Sequence, residues 1–530
     1  ANPLHWAQAK IYGGLHARDH ACKEIQIRLT YLELETDEVT QFTELYSVAE
    51  LSAYCDETMA VYVEWMQERH LCRQKRNQSI HALVFPFATY RRGQRELAVA
   101  AYRILTNGGR LFLEAPTGIG KTMSVIFPSV KAMGEEKIER IFYLTARTIG
   151  RTVAEKALAD LRRAGMQFSA VTLTAKEKIC VRDGQPCEIT TCPLAQGYYD
   201  RYKPAVRDAL RQQDVTRATV ETIAQKYQVC PFELSLDVSS WADAVICDYN
   251  YVFDPGVYLR RHFEAGNGNH AFLIDEAHNL VDRAREMFSA DLERQEILEV
   301  KRAIQKTAPQ CAKALGKLNS ALRELSLESS FSGEVAEWKQ SPAELNFSSL
   351  PSERKKISDK SLTEKNTPLV RKDFPQTLLP FIEKTLREAE AWLVKNEPAE
   401  FRESLLSLYF RLNIFQRTAE RYDEHFVTLL EPSGRMRLFC LDPSVLLREA
   451  LARGRAAMFF SATLTPPDYY RTLLGGASED RTLKLPSPFP SENLAVLIQD
   501  RIPTHFKARG ETIHSVVESI HAFVKGRRGN

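Results

Sequence analysis

The stretch "LEAPTGIGKTMSVIFPSV", which begins at Leu113, constrains this chain more than any other. An apolar run ends in a glycine-bearing polar turn, and a helical pattern opens on Lys121 and Thr122. Nucleotide phosphates carry several negative charges, so a site for them needs converging backbone N–H groups, a helix N-terminus, an ammonium and a hydroxyl for magnesium. "APTGIGKT" supplies all four. Gly118 and Gly120 let the backbone curl close, Lys121 reaches the outer phosphates and Thr122 ligates Mg²⁺, while Ala115, Pro116, Thr117 and Ile119 complete the loop. The general pattern has glycine where this chain has Ala115.

"FLIDEAHNL" supplies the other half of a phosphoryl-transfer site. An apolar strand ending in two carboxylates puts Asp275 in the magnesium shell and Glu276 where it orients or deprotonates the attacking water. Later, "FFSATLT" reads as a strand ending in Ser461, Ala462 and Thr463, short groups suited to couple the γ-phosphate state to movement between lobes. Each signal alone has a bland structural reading; their order along one chain is what gives them weight.

The cysteines add a different chemistry. Cys180, Cys187, Cys192 and Cys230 are separated by six, four and 37 residues. Thiolates are soft ligands that suit zinc or iron–sulfur centres. Zinc modules favour tight pairs, so this looser spacing favours a multi-iron cluster; zinc, a redox-sensitive thiol patch and unligated core cysteines stay open. Cys22, Cys55, Cys72, Cys247, Cys311 and Cys440 are scattered, and most read as buried thiols.

With 530 residues the chain exceeds what one core usually organises, so several domains are expected. No apolar run reaches the ~18 residues of a membrane span, and no charged-then-apolar leader opens "ANPLHWAQAK". A cytoplasmic, membrane-free protein is the expectation. A formal charge of +3 is too small to argue for nucleic acid by itself.

Residues 1–75 show helical patterning around an alternating stretch, "IQIRLTYLELETDEV". Short β-rich runs separated by helical segments then indicate an α/β lobe with a parallel sheet over 84–177 and 237–282. The cysteine-rich segment 178–236 reads as an insertion in it. Residues 283–450 are helical and charged, with a polar mobile loop at about 327–369. The strand of 451–465 returns to the first lobe, and 466–530 is expected to begin a second, truncated one.

In these motifs, in this order, the chain resembles the iron–sulfur-containing superfamily 2 DNA helicases of the DinG and XPD type. The resemblance runs from about Val84 onward and rests on "YRRGQ", "APTGIGKT", "YLTART", the cysteines, "VICDYNYVFDP", "DEAHNL", "FFSATLTP" and "LPSPFP". The alanine at position 115 fits that superfamily. The resemblance implies a RecA-like P-loop lobe, an inserted four-iron four-sulfur domain held by Cys180, Cys187, Cys192 and Cys230, a helical arch and a second RecA-like lobe. It also implies ATP-driven movement 5′ to 3′ on single-stranded or forked DNA, in repair or recombination. Gln94 would contact the adenine, with Phe87, Tyr90 and Arg91 at that entrance, and Thr145, Arg147 and Thr148 would touch the DNA backbone. Tyr249, Asn250 and Tyr251 lie near the same track, as platform or as packing. The family's late arginine-rich motif is absent before "GRRGN", so weak nucleotide binding and poor hydrolysis are expected of this stretch by itself.

At the N-terminus, Gln8 and Tyr12 in "HWAQAKIYGGLHA" have the Q-x-x-x-Y spacing that resembles the last helix motif of RecB-like PD-(D/E)xK nucleases. The metal-binding acids of that fold would lie upstream of Ala1. Two other functions therefore compete with a helicase: a helicase–nuclease fusion whose main output is cleavage, and an ATP-switched clamp on single strands that does not unwind.

Overall fold

The structure, a computed structural model, describes residues 2–525 apart from 34–35, 183–186, 188–190, 265–267, 332–367, 396, 491, 493–495, 497, 504 and 506–508. In chain order its strands are β1 (Glu24–Leu32), β2 (Val39–Ser47), β3 (Gly109–Glu114), β4 (Arg140–Leu144), β5 (Ala170–Thr172), β6 (Asp214–Val215), β7 (Ala244–Cys247), β8 (His270–Asp275), β9 (Ala290–Glu293), β10 (Leu369–Arg371), β11 (Phe426–Leu430), β12 (Arg435–Cys440), β13 (Ala456–Ser461) and β14 (Arg481–Lys484). Eight of them form one parallel sheet in the order β14-β3-β13-β8-β4-β7-β5-β6.

The central strands of this sheet are apolar at nearly every position, because helices cover both faces and leave no side for solvent. "HAFLID" in β8 and "AAMFFS" in β13 are buried throughout. On one face, Leu97, Leu105, Val130 and Leu158 come from the helices Gln94–Asn107, Lys121–Gly134 and Thr148–Arg163. On the other, Val206, Ile223 and Leu234 meet Leu280 and Phe459. Strand β13 lies between β3 and β8, so Phe459 faces Phe112 across one ladder and Ile274 across the other. The Phe112 and Phe459 rings stack at 4.6 Å between centroids. This register sets Ser461 level with Glu114 and Phe460 level with Asp275, at the carboxyl ends of three adjacent strands. Ligands of open α/β sheets bind at that edge.

Three features differ from the sequence expectation. The cysteine-bearing segment 178–236 is continuous with the lobe: β6 pairs with β5, and Tyr198, Ala209 and Val220 join the same core as Phe459. Likewise, a second lobe does not open at Pro466, because β14 adds in parallel beside β3. The amide of Leu485 bonds to Glu114 O at 2.9 Å, and Lys484 pairs with the Glu114 carboxylate at 2.8 Å. Finally, the helical region 283–450 contains an antiparallel sheet, β10-β11-β12-β9, that packs with the helices Leu379–Leu393 and Arg402–Glu420 around Leu378, Leu412 and Phe415. Its strands are three to six residues long, so helical signals on either side mask them. The expected loop at 327–369 lies almost wholly outside the described residues.

The N-terminal segment forms a helix, Pro3–Asp19, the β1–β2 hairpin and a 35-residue helix, Val48–Ala82. Ser47 and Glu50 build a reciprocal capping box at the start of the long helix, and no glycine or proline interrupts it. It docks on the sheet domain through Arg76, whose Nη1 lies 2.6 Å from Asp243 Oδ1, and through Trp65, which meets Trp241 edge-on at 5.0 Å. Asp243 is itself fixed by the amide and hydroxyl of Ser169, each at 2.8 Å. Removing one partner of a mostly buried ion pair strands the other charge. Arg76→Ala is therefore expected to lower unfolding stability by about 3 kcal/mol in a denaturant titration, whereas Glu64→Ala, at the exposed rim of the same junction, should change it by less than about 0.5 kcal/mol.

Candidate nucleotide site

The turn after β3 adopts the conformation its glycines allow. Gly118 and Gly120 have φ of 90° and 85°, in the left-handed region that side chains resist, and Gly120 caps the helix that starts at Lys121. The Lys121 ammonium folds back on its own loop, donating to Ala115 O at 3.0 Å. Burial lowers its pKa, and the nearby carboxylates of Glu276 and Asp275 oppose that shift. Gln94 lies buried beneath the loop, where a side chain at Gly120 would strike its Nε2. Its Oε1 accepts from the Arg91 amide at 3.0 Å, and Arg91 Nη1 donates to Gly118 O at 2.5 Å. A cleft of about 360 Å³ opens here, lined by Phe87, Thr89, Arg91, Gln94, Thr122 and Lys156.

Across the cradle, Asp275 ends β8. Its Oδ2 accepts from the Tyr143 hydroxyl at 2.9 Å and its Oδ1 from the Glu276 amide at 3.0 Å. Burial pushes its pKa up to about 6; the Glu276 charge adds to the rise, and the Tyr143 bond opposes it. Glu276 sits at φ 49°, a left-handed conformation that turns its side chain out of the strand line. There its Oε2 accepts from Ser461 Oγ at 3.3 Å, and His278 Nδ1 lies 2.7 Å from the same Oγ. The Ser461 carbonyl in turn accepts from the Ala115 amide at 2.9 Å, so β13 is bonded to both the cradle and the acidic pair. Lys121, Thr122, Asp275, Glu276 and Ser461 thus lie together at one edge of the sheet. Ala462 is half-buried, and Thr463, exposed, bonds back to Ser461 Oγ through its amide at 3.2 Å. Sequence reasoning missed Tyr143, His278 and Phe489. The first hides in an apolar run, and the last reaches the cradle from 371 positions downstream of Gly118, where a side chain on Gly118 would lie 2.8 Å from its ring.

Along the predicted DNA track the residues separate. Arg147 and Thr148 are exposed, but Thr145 is buried, and its Oγ1 receives the Arg147 amide at 3.4 Å. Thr145 shapes the turn and does not present its side chain to a strand. Tyr249 and Tyr251 are also buried: the Tyr249 hydroxyl donates to the carbonyls of Asp275 and Glu276 and so holds the acidic turn. Neither is a stacking platform. Asn250 accepts from Arg283 at 2.7 Å.

Cys180, Cys192 and Cys230 are half-buried and Cys187 is exposed. Cationic groups attend them. A bond from Lys176 to Cys187 raises the lysine's pKa, and Cys192 is lowered against its burial by Arg182 and by the amides of Ala195 and Leu194. Positive groups beside soft donors fit thiolates that carry a metal centre. Among the described residues no three of these sulfurs converge within 4.8 Å, the arrangement a single ion would need. Of the scattered cysteines, Cys55, Cys247, Cys311 and Cys440 are buried.

A parallel sheet with a glycine cradle, a cradle lysine and an acidic pair on the neighbouring strand ends defines a RecA-like P-loop nucleotide-binding lobe. Residues 145–297 match the family described as DEAD_2. The chain is similar to the general transcription and DNA repair factor IIH helicase subunit XPD/RAD3 of Saccharomyces cerevisiae, with 21% identity covering 74% of this chain and 60% of that protein. It is also similar to a probable ATP-dependent helicase of Methanocaldococcus jannaschii, with 25% identity over 38% of this chain and 30% of the relative. A regulator of telomere elongation helicase 1 homologue of Caenorhabditis briggsae matches at 23% over 40% of this chain and 25% of its own length. The chain covers less than two thirds of each of these relatives. Solved structures described as an XPD helicase and a truncated XPD align with TM-scores of 0.46 and 0.45 at 17% and 16% identity, covering 75% and 74% of this chain and 62% and 99% of theirs. No helix among the described residues is long and apolar enough to cross a membrane.

The elevated pKa of Asp275 has a measurable consequence. A protonated carboxyl is neutral and offers a cation little, so Mg²⁺-dependent nucleotide binding is expected to weaken as pH falls through about 6. Calorimetric titration with MgADP between about pH 7 and about pH 5 reads this; Asp275→Asn should bind weakly throughout, without the pH-dependent fall.

Proposed function

We propose that this chain carries the ATP-hydrolysing motor of a DNA helicase that moves 5′ to 3′ along single-stranded DNA, in repair or recombination. The observation that carries the reading is the bonded path from His278 through Ser461 to Glu276, because it ties the acidic pair to the strand that runs on beyond the cradle. Lys121 and the backbone amides of residues 117–122 receive the phosphates. Thr122 and Asp275 hold Mg²⁺, which neutralises charge on the phosphate oxygens. Glu276 orients the water and accepts its proton as the new bond to the γ-phosphorus forms and the bond to ADP breaks. Loss of the γ-phosphate changes what Glu276 faces, and Ser461 and His278 pass that change to β13.

Arg147 and Thr148, exposed beyond β4, contact DNA phosphates, which a sequence-blind motor needs. Cys180, Cys187, Cys192 and Cys230 hold a four-iron four-sulfur cluster, which ties segments distant in sequence into one body. The names of the relatives, a DNA repair factor subunit and a telomere regulator among them, support DNA as the track.

ATP turnover with and without single-stranded DNA, and unwinding of forks tailed at the 5′ or the 3′ end, test this reading. Stimulated turnover and preference for the 5′ tail are expected. Glu276→Gln should retain nucleotide and lose turnover by about 100-fold or more, and Arg147→Ala should weaken DNA stimulation more than basal hydrolysis. Iron and acid-labile sulfide should each be about four per chain and fall in Cys187→Ser. Turnover indifferent to DNA, or zinc in place of iron, would overturn the corresponding part.

A further inference from the structure

Tyr143 is completely buried near the carboxyl end of β4, paired with Ile246 on one side and Leu273 on the other, and its neighbours along the strand are hydrocarbon. A phenol there needs partners for its polar end. It finds two: its hydroxyl donates to Asp275 Oδ2 at 2.9 Å, and the Thr122 side chain is close enough to the phenol oxygen of Tyr143 to bond with it. These are the groups that, on the reading proposed above, hold Mg²⁺. We propose that Tyr143 is the positioning residue of that metal site, one buried hydroxyl setting the orientation of both protein ligands.

The hydrogen-bond inventory fixes the directions. A phenol has one proton to give, and Asp275 takes it; the bond with Thr122 must then run from the threonine proton to the phenol oxygen. A hydroxyl that ligates a cation has to turn a lone pair toward it and place its proton elsewhere, and Tyr143 receives that proton. Asp275 is constrained on both oxygens, Oδ2 by Tyr143 and Oδ1 by the Glu276 amide. The space around Oδ2 is also narrowed. At Gly150, in the first turn of the helix Thr148–Arg163, an added Cβ would lie 3.0 Å from Oδ2 and against Thr145 Oγ1. Gly150 thus approaches one side of Oδ2 closely, and the direction of the carboxylate is set by its two donors, Tyr143 on Oδ2 and the Glu276 amide on Oδ1. Groups that orient metal ligands without touching the metal commonly change its affinity by about 10–100-fold.

Tyr143→Phe keeps the ring and removes only the shared oxygen. Mn²⁺ in place of Mg²⁺ gives an electron paramagnetic resonance signal from the bound ion. In the presence of ADP, the phenylalanine variant is expected to bind Mn²⁺ about tenfold more weakly and with an altered line shape. ADP binding in EDTA should match wild type, a split that loosened packing would not produce. On a Thr122→Ala background the added loss should shrink, since Tyr143 then has one ligand fewer to orient. Wild-type Mn²⁺ affinity and line shape in the Tyr143→Phe protein would overturn the inference. If wild type itself binds no Mn·ADP, or Lys121→Ala leaves that binding intact, the nucleotide-site reading fails instead. Tyr143→Leu, followed by the same titration, stands in if the phenylalanine variant does not fold, and is held to the same outcomes.

Discussion

The position of β13 between β3 and β8 is the constraint on which the rest of the site depends. Chain segments more than 180 residues apart meet there through parallel ladders, and the register puts Ser461 level with the last residues of both neighbours. A slip of one residue would turn Ser461 from the cradle to the opposite face of the sheet. Such a slip is opposed from several directions: Phe459 stacks on Phe112, Ala115 bonds to the Ser461 carbonyl, and Ala277 bonds to the Phe460 carbonyl at 3.2 Å. The apolar core thus determines the geometry of a polar site, and the polar bonds at the strand ends confirm one register out of the two that hydrophobicity alone would permit.

The same edge explains why so much charge can sit together out of water. Lys121 and Asp275 are each disfavoured by burial if taken singly, yet opposite signs face one another, and Tyr143, Tyr249 and Ser461 add neutral partners around the acidic pair. Fixed dipoles around buried charges of both signs cost little reorganisation when a polyphosphate arrives, which is the condition electrostatic catalysis requires. Elsewhere in the lobe the same economy appears without chemistry: Arg140, deep under the sheet, spends its donors on the carbonyls of Ala242 and Ser240 and on His262, at 2.7–2.9 Å.

Sequence carried the cradle, the acidic pair and the hydroxyl strand because each is a local pattern: glycines at a turn, carboxylates at a strand end, an apolar run before Ser461. It carried the parallel sheet as well, since buried strands between helices have few alternatives. What it could not carry were the long-range choices. Whether β14 begins a new lobe or closes the existing one is decided by Glu114 binding Lys484 and Leu485, which no local pattern announces. Tyr143 and Tyr249 look like strand and loop hydrophobes until the sheet brings them under Asp275. Thr145 looks like an exposed contact because its neighbours Arg147 and Thr148 are exposed; only the packing of Gly150 against it shows the side chain turned inward.

The cradle itself is held from several sides before any nucleotide enters. Arg91 grips the Gly118 carbonyl, Phe489 lies against the same glycine, and Lys121 bonds to Ala115 O. Each of these is a neutral acceptor or an apolar contact. An ammonium bonded to a phosphate oxygen makes a charge-assisted bond of roughly twice the strength of a neutral one, so Lys121 can leave Ala115 at a net gain. Phe489 has no such exchange to make. The segment "LPSPFP", which follows β14, sets the Phe489 ring against the cradle glycine, and the strand before it is fixed to the same Glu114 that ends the cradle strand. The β14 ladder, the Leu485 amide on the Glu114 carbonyl and Lys484 on its carboxylate together hold that edge beside the cradle.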